Sequence, residues 1–307
     1  MKTKIGLWLK ELRAPFFTAV IVPTLLGFVI AVHQSIEIHW GHFILTLLGV
    51  IFLHAGTNVA NDYFDHKSRN DELNREFAHP FTGGSRLIQE KLLTPRAVIT
   101  ESMIFFAMGG IIGLYLTFAV GIGVLILGVV GAFIGYFYTA PPFRLSYHGL
   151  GEIAVGFNCG IFVTLGAYYV QAGYFAWEPV FAGIPVGFLI AALLWINQFQ
   201  DYQADKAVGK NHWVVRIGRK KAEKIYRVLM LGTYLFIIIA SIAGWITHFA
   251  IIGLLTLPMT IKAIKTSSKQ YDNPQKLIIA NASTISVHLF TGLLISLGYV
   301  IEHFVFR

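Results

Sequence analysis

Long apolar stretches recur along this 307-residue chain and restrict it to one class of fold. A helix needs about twenty apolar residues to cross a bilayer, and only helices or closed barrels satisfy their backbone hydrogen bonds there. We therefore predict an all-α polytopic membrane protein, with nine transmembrane helices bundled around a central cavity. The predicted spans lie near residues 15–33, 42–62, 97–119, 121–138, 149–171, 178–200, 222–245, 247–265 and 277–302.

The composition agrees with a membrane protein, because 55% of the residues are hydrophobic and only 13% are charged. No soluble domain fits into the predicted loops, so we predict a single transmembrane domain over residues 1–307. The one cysteine, Cys159, excludes a disulfide framework. Apolar and basic residues alternate at helical spacing in segment 1–14, which predicts an interfacial amphipathic helix and no cleavable signal.

The basic residues predict the orientation of the bundle. With a cytoplasmic N-terminus, 23 of the 24 Lys and Arg residues fall in cytoplasmic segments, and only Arg307 lies outside. Lys and Arg are enriched in cytoplasmic loops, so we predict a multi-pass protein of the cell (inner, plasma) membrane. The same bias accounts for the net charge of +8, and we expect no nucleic-acid binding.

Two polar motifs end predicted spans. NVANDYFD closes the second span and INQFQDYQAD closes the sixth, and both face the cytoplasmic side because four spans separate them. Asn61 and Asp71 lie close enough to the first motif to contribute to it. Helical spacing gathers the main polar residues into two stripes: Asn58, Asp62 and Asp65 in the first, and Asn197, Asp201 and Asp205 in the second.

Facing stripes would collect four carboxylates in one partly dehydrated mouth. Each buried acid costs about 2.5 to 3.5 kcal/mol, and the like charges repel one another, so a cation must neutralise them. Oxygen ligands without Cys or His favour Mg²⁺. The alternative interpretation is a set of solvated helix-end charges paired with Lys67, Arg69 or Lys206, but it does not account for two copies of one pattern on one side.

Basic residues flank the acidic motifs: Arg86 in FTGGSRLIQ, Arg144 in YTAPPFRLSYHGLGE and Lys210 in DKAVGK. Acids, metals and cations together favour a polyanion bound through metal bridges, and a diphosphate fits. Membrane anchoring is the alternative interpretation of Arg86 and Arg144. The 25 Phe, 13 Tyr and 6 Trp residues favour an apolar cavity for a hydrocarbon tail, although core packing accounts for most of them.

Taken together, these segments resemble the UbiA superfamily of intramembrane prenyltransferases, in the family's order and over the whole chain. The segments NVANDYFDHK, GGSRLIQEKLLTPR, GLGEIAVGF and DKAVGKNHWVVRIGRKKA are most similar to its MenA branch, the 1,4-dihydroxy-2-naphthoate polyprenyltransferases of menaquinone biosynthesis. Two departures from the branch pattern adjoin the acceptor side: Asn197-Gln198-Phe199-Gln200-Asp201 and His212-Trp213-Val214.

The resemblance implies transfer of a polyprenyl group from a polyprenyl diphosphate to a small aromatic acceptor, with two Mg²⁺ ions bridging the diphosphate. Matching positions assign one ion to the first stripe and one to the second, with catalytic roles for their four Asp residues. Segments 66–96 and 203–220 would form cytoplasmic cap loops. The diphosphate-binding residues implied by the resemblance and the flanking charges are Asn58, Arg86, Tyr138, Thr139, Arg144, Asn197 and Lys210.

Glu152 is an acid near a span start that belongs to neither stripe. We predict that it orients or deprotonates the acceptor, with a helix N-terminal charge favoured by the dipole as the equal alternative. His54 and Glu101 are expected to serve helix packing.

Several alternatives stay open. The acceptor could instead be 4-hydroxybenzoate, homogentisate or a glycerol phosphate ether lipid, and neither prenyl chain length nor oligomeric state follows from the sequence. A cation-coupled transporter is the alternative from another class, but its conduction path would need polar residues at intermediate depth in several spans.

Overall fold

The computed structural model describes residues 4–306, and all regular structure in this range is helical. Short 3₁₀ segments lie at Ala14–Phe17, Leu145–Tyr147 and His248–Thr256, and a π-helical segment, Gly156–Phe162, joins two α-helices. The α-helices are α1 (Lys4–Glu11), α2 (Thr18–His33), α3 (Trp40–Lys67), α4 (Asn70–Leu73), α5 (Pro95–Val120), α6 (Ile122–Tyr136), α7 (Gly151–Val155), α8 (Val163–Ala172), α9 (Trp177–Ala207), α10 (Trp213–Ile217), α11 (Arg219–Ile242), α12 (Leu257–Gln270) and α13 (Ile278–Val305).

Eight helical segments of the described residues are long and apolar enough to cross a membrane, one fewer than the nine predicted. The difference is α6, for which the sequence predicted a span over 121–138. Its 15 residues reach only about 22 Å, whereas the hydrocarbon core is about 30 Å thick. The helix begins after Gly121, whose φ is +147°, and it ends at Tyr136, where the chain turns into a loop. The all-helical polytopic architecture itself is confirmed.

Both polar motifs remain helical to their last acidic residue. Helix α3 continues to Lys67 and α9 to Ala207, several residues beyond the predicted span ends. The side chains of each motif therefore keep the i, i+4 spacing that places them on one helix face.

Helix α9 lies at the centre of the bundle and packs against α2, α11, α13 and the π-helical segment. Its contact with the π-helical segment is a backbone contact, since a Cβ atom on Gly160 would lie 2.4 Å from the Gly187 Cα. Small residues allow such an approach, which drives helix association in lipid where apolar side chains gain little from burial. Helix α5 is the least buried span and packs mainly on α3.

Candidate active site

The first motif lies at the end of α3, under the connection to α5. Asp62 accepts a hydrogen bond from the Ser85 backbone N–H at 2.7 Å, and its other oxygen lies 3.6 Å from the Arg13 guanidinium. Asn61 donates to Asp65 at 3.0 Å and to the Thr139 hydroxyl at 2.8 Å. Asp62 is thus held by residues distant in sequence, and Asn61 links Asp65 to the residue Thr139 of another connection.

The second motif, at the end of α9, is held mainly by the segment around α4. Asn70 donates to Asp205 at 2.7 Å, and Asn74 donates to Asp201 at 2.6 Å. His212 Nε2 lies 2.7 Å from the second Asp205 oxygen. Because the other His212 nitrogen accepts from a backbone N–H, Nε2 is the donor to Asp205.

Lys210 joins the two motifs. Its ammonium lies 3.2 Å from both Asp65 oxygens and 3.6 Å from Asp205. Burial disfavours the charged amine, but the Asp205 and Asp65 carboxylates outweigh this effect and raise the pKa of Lys210 well above its usual value. The predicted convergence of the two motifs is therefore present, with a lysine between them.

Asp71 adds a further acid to the same region. Burial, reinforced by the charges of Asp65 and Asp62, raises the pKa of Asp71 well above its usual value. Gly84 permits this crowding, because its φ is +68° and a Cβ atom there would lie 2.8 Å from Asp71 Oδ2 and 3.0 Å from Asp62 Oδ1. A loop backbone that approaches two carboxylates this closely requires glycine.

A cavity of about 570 Å³ extends from these acids into the bundle. Its polar end is followed by largely apolar walls from α2, α3, α5, α6 and the 155–170 region. Such a cavity, polar at one end and apolar along its length, suits a ligand with a charged head and a hydrocarbon tail. The predicted site residues that line it are Asn58, Asp65, Tyr138, Asn197, Asp201, Asp205 and Lys210.

Five predicted site residues lie outside the cavity lining. Asp62 faces Ser85 and Arg13, and Thr139 accepts from Asn61. The other three have different partners: Arg86 donates to the Asp71 carbonyl, exposed Arg144 lies over the Tyr147 ring, and Glu152 accepts from the Trp213 N–H at 3.2 Å.

Sequence reasoning missed several residues of the site. The sequence predicts only a contribution to membrane orientation for Arg13 and a role in helix packing for His54, yet both line the cavity. The amides of Asn70 and Asn74, which hold the second motif, also went unassigned. His54 alone carried a sequence signal, since it stands four residues before Asn58 and therefore on the same face of α3.

The side-chain oxygens gathered at the site are ligands of the kind that magnesium prefers. Carboxylate and amide oxygens dominate both motifs, and Asp62 Oδ1 is buried without a hydrogen-bond partner. Within the described part of the chain, however, no three His, Cys, Asp or Glu side chains stand close enough together to form a metal site by themselves. Magnesium commonly binds through one or two carboxylates plus substrate phosphates, so the arrangement is suited to a metal that arrives with a diphosphate.

Comparison with known proteins gives consistent matches. Residues 20–285 match the sequence model described as the UbiA prenyltransferase family. The 1,4-dihydroxy-2-naphthoate octaprenyltransferase of Bacillus subtilis is 25% identical over 304 residues, covering 99% of this chain and 95% of the relative. The enzyme of that name from Haemophilus influenzae is 31% identical over 275 residues, covering 84% and 83%.

A phytyltransferase and a solved structure extend these matches. The 2-carboxy-1,4-naphthoquinone phytyltransferase of Synechocystis is 27% identical over 295 residues, covering 95% of this chain and 92% of the relative. A UbiA homolog from Archaeoglobus fulgidus, solved bound to GPP and Mg²⁺, aligns with a TM-score of 0.71 over 96% of this chain and 99% of that chain. At 17% identity, this structural likeness shows the fold.

Proposed function

Because this chain belongs to the UbiA prenyltransferase family, we propose that it transfers a polyprenyl group from its diphosphate to 1,4-dihydroxy-2-naphthoate, in menaquinone biosynthesis. The observation that carries the proposal is the convergence of two Asp motifs on Lys210 at the mouth of an apolar cavity. The names of the relatives support the naphthoate acceptor. In this proposal the diphosphate lies at the carboxylates and the polyprenyl tail extends along the apolar walls.

The two motifs would each hold a Mg²⁺ ion, through Asn58, Asp62 and Asp65 in α3 and through Asn197, Asp201 and Asp205 in α9. When bound, the metal would neutralise charge on the departing diphosphate. The Asp62 carboxylate contacts the Ser85 N–H and the Arg13 guanidinium. To bind a metal ion, Asp62 would have to give up these contacts.

The protein's own groups have three tasks in the reaction. Lys210 places a buried positive charge where diphosphate charge develops, and such a preorganised charge acts strongly in a site that excludes water. Four further residues are proposed to contact the diphosphate: Tyr138, Arg86, Thr139 and Arg144. The apolar cavity walls keep water from the reactive allylic carbon until the acceptor attacks it.

Glu152 is proposed to act by positioning. Its carboxylate accepts from the Trp213 N–H and so holds α10, which begins three residues after Lys210. The protein is a multi-pass membrane protein, and we propose a cytoplasmic N-terminus in the cell membrane, with the site on the cytoplasmic side.

The proposal is tested with purified protein in detergent, geranyl or octaprenyl diphosphate and 1,4-dihydroxy-2-naphthoate, with product detected by mass spectrometry. The new carbon–carbon bond releases diphosphate from the prenyl donor and a proton or CO₂ from the acceptor ring, and we expect the prenylated dihydroxynaphthalene product, with its carboxylate kept or lost, only when Mg²⁺ is present. Asp65→Ala and Asp201→Ala should each reduce turnover by at least about a hundredfold, the scale of losing one electrostatic contact to the transition state.

Asp272→Ala is the matched control, because Asp272 is exposed and lies outside the cavity lining, and its turnover should equal that of the wild type. Turnover that is independent of divalent metal, or that survives either motif substitution, contradicts the proposed chemistry. When 4-hydroxybenzoate is supplied together with the naphthoate, prenylation of the benzoate alone keeps the chemistry and overturns the acceptor.

A further inference from the structure

Buried polar atoms almost always have a hydrogen-bond partner, so an unpartnered polar group on the wall of the cavity is a candidate contact for a ligand. Among the described residues that line the cavity, three side-chain atoms are buried and unpartnered: Arg13 Nε, His54 Nε2 and Gln198 Oε1. Arg13 already contacts Asp62 and the Phe81 carbonyl through its other nitrogens. His54 is the one of the three that stands among apolar walls, beyond the acidic end.

The position of His54 separates it from the diphosphate site. It lies on α3 one turn deeper than Asn58 and two turns, or about 12 Å, deeper than Asp62. The Phe17 ring meets its imidazole edge to face, with centroids 6.0 Å apart, and the neighbouring Phe16 lines the same cavity. Aromatic rings and an imidazole thus share this part of the wall.

The other polar side chains on the deeper α3 wall are already satisfied. Thr57 donates to the Leu53 carbonyl at 2.9 Å, and Thr46 donates to the His42 carbonyl at 2.7 Å. A hydrocarbon tail beside His54 would offer its free nitrogen no partner, and burying such an atom unpaired is unfavourable. A ligand carrying an aromatic ring and a hydroxyl group satisfies both the ring neighbours and the nitrogen.

We propose that His54 is an acceptor-binding residue whose imidazole forms a hydrogen bond with a ring hydroxyl of a hydroxylated aromatic acid. A hydroxyl group both donates and accepts, so the contact forms with either imidazole tautomer. The inference rests on the proposed function, and it specifies the wall of the cavity that receives the acceptor. The acceptor ring then shares this part of the cavity with the Phe16 side chain and the His54 imidazole, deeper than the diphosphate.

The test compares His54→Gln and His54→Phe with the wild type in the purified, detergent-solubilised protein. The KM for 1,4-dihydroxy-2-naphthoate should rise about tenfold in His54→Phe, the equivalent of one hydrogen bond. The KM for prenyl diphosphate should stay within about twofold, because the diphosphate contacts are untouched. His42→Gln is the control, since His42 lies on the same helix outside the cavity lining.

The binding affinities of the acceptor and of an analogue without hydroxyl groups give a readout that a purely structural role of His54 would not change. Wild type should bind the dihydroxylated naphthoate more tightly than 2-naphthoate, which lacks the hydroxyls, and this preference should collapse in His54→Phe and be partly kept in His54→Gln. An unchanged preference, or an equal rise in both KM values, overturns the inference. Absence of any aromatic prenylation by the wild type would instead overturn the proposed function.

Discussion

At the residue scale, the site depends on how a few buried charges neutralise one another. Lys210 is the counter-charge shared by Asp65 and Asp205, and Asn70 and His212 complete the partners of Asp205. Removing one member of a buried ion pair leaves the rest without compensation, which costs more than the pair contributes. The acidic mouth is therefore most sensitive to the loss of its lysine.

Lys210→Met should lower the unfolding free energy by about 3 to 5 kcal/mol, because two buried carboxylates lose their counter-charge. Added Mg²⁺ should restore more stability to this variant than to the wild type, since the ion can neutralise the same carboxylates. Thermal unfolding in detergent, with and without Mg²⁺, measures both effects. Lys206→Met, at an exposed lysine nearby, should change neither, and equal destabilisation by both substitutions would contradict this role for Lys210.

At the element scale, the connection from α3 to α5 works as a support for both motifs. Asn70 and Asn74 bind the α9 carboxylates, while the Gly84–Ser85 backbone lies against Asp62. Helix α1 is tied to this connection through the hydrogen bond from the Ser85 hydroxyl to Glu11. Through Ser85, this connection therefore links α1 to the first motif by hydrogen bonds.

Gly84→Ala should reduce turnover by at least about tenfold, because the added Cβ would stand 2.8 Å from an Asp71 oxygen and displace the carboxylates. Part of any effect is the strain of a left-handed residue, about 1 to 2 kcal/mol. Gly244→Ala isolates that strain, since Gly244 has the same φ of +68° and a Cβ atom added there would meet no other atom within 4 Å. Equal turnover in the two variants would show that the crowding at Asp71 is unimportant.

Glu11 should make stability depend on pH. Burial, together with the nearby Asp62 charge, raises the pKa of Glu11 from 4.5 to about 8. The folded state therefore binds a proton that the unfolded state releases above pH 4.5, so this contribution is complete below pH 4.5 and is lost as the pH rises through about 8. Glu11→Gln should flatten the decline of the melting temperature over this range.

The control for this pH effect is Glu90→Gln, at an exposed acid of the same connection. It should leave the pH dependence of the wild type intact. A decline that persists unchanged in Glu11→Gln would assign the pH dependence to other groups.

At the scale of the whole molecule, the sequence predicts the class, the spans and the two facing motifs, because hydropathy and helical spacing depend on local sequence. The bridging position of Lys210 follows from tertiary contacts that no local pattern contains, whereas the helical spacing of His54 and Asn58 does place His54 on the cavity face of α3. Glu152 resembles Lys210 in this respect, since its partner Trp213 lies 61 residues away. The length of α6 escaped prediction because the apolar character of the chain continues past the point where its backbone turns.

The orientation predicted from the basic residues can be tested on the whole molecule in cells. In a Cys159→Ala background, Glu37→Cys in the α2–α3 connection should react with a membrane-impermeant maleimide in intact cells. Lys269→Cys, near the end of α12, should react only after the cells are permeabilised. The reverse labelling pattern would invert the bundle and place the acidic site on the outer face.

The shortness of α6 has a consequence for the surrounding lipid. Its apolar face is exposed at Ile122, Ile126 and Val129, yet the helix is about 8 Å shorter than the hydrocarbon core. Acyl chains beside it must compress to match, at a cost of a fraction of a kcal/mol for each ångström of mismatch. Bilayer thickness should therefore affect the enzyme through this mismatch. Reconstitution in phosphatidylcholines of graded acyl length would test the effect.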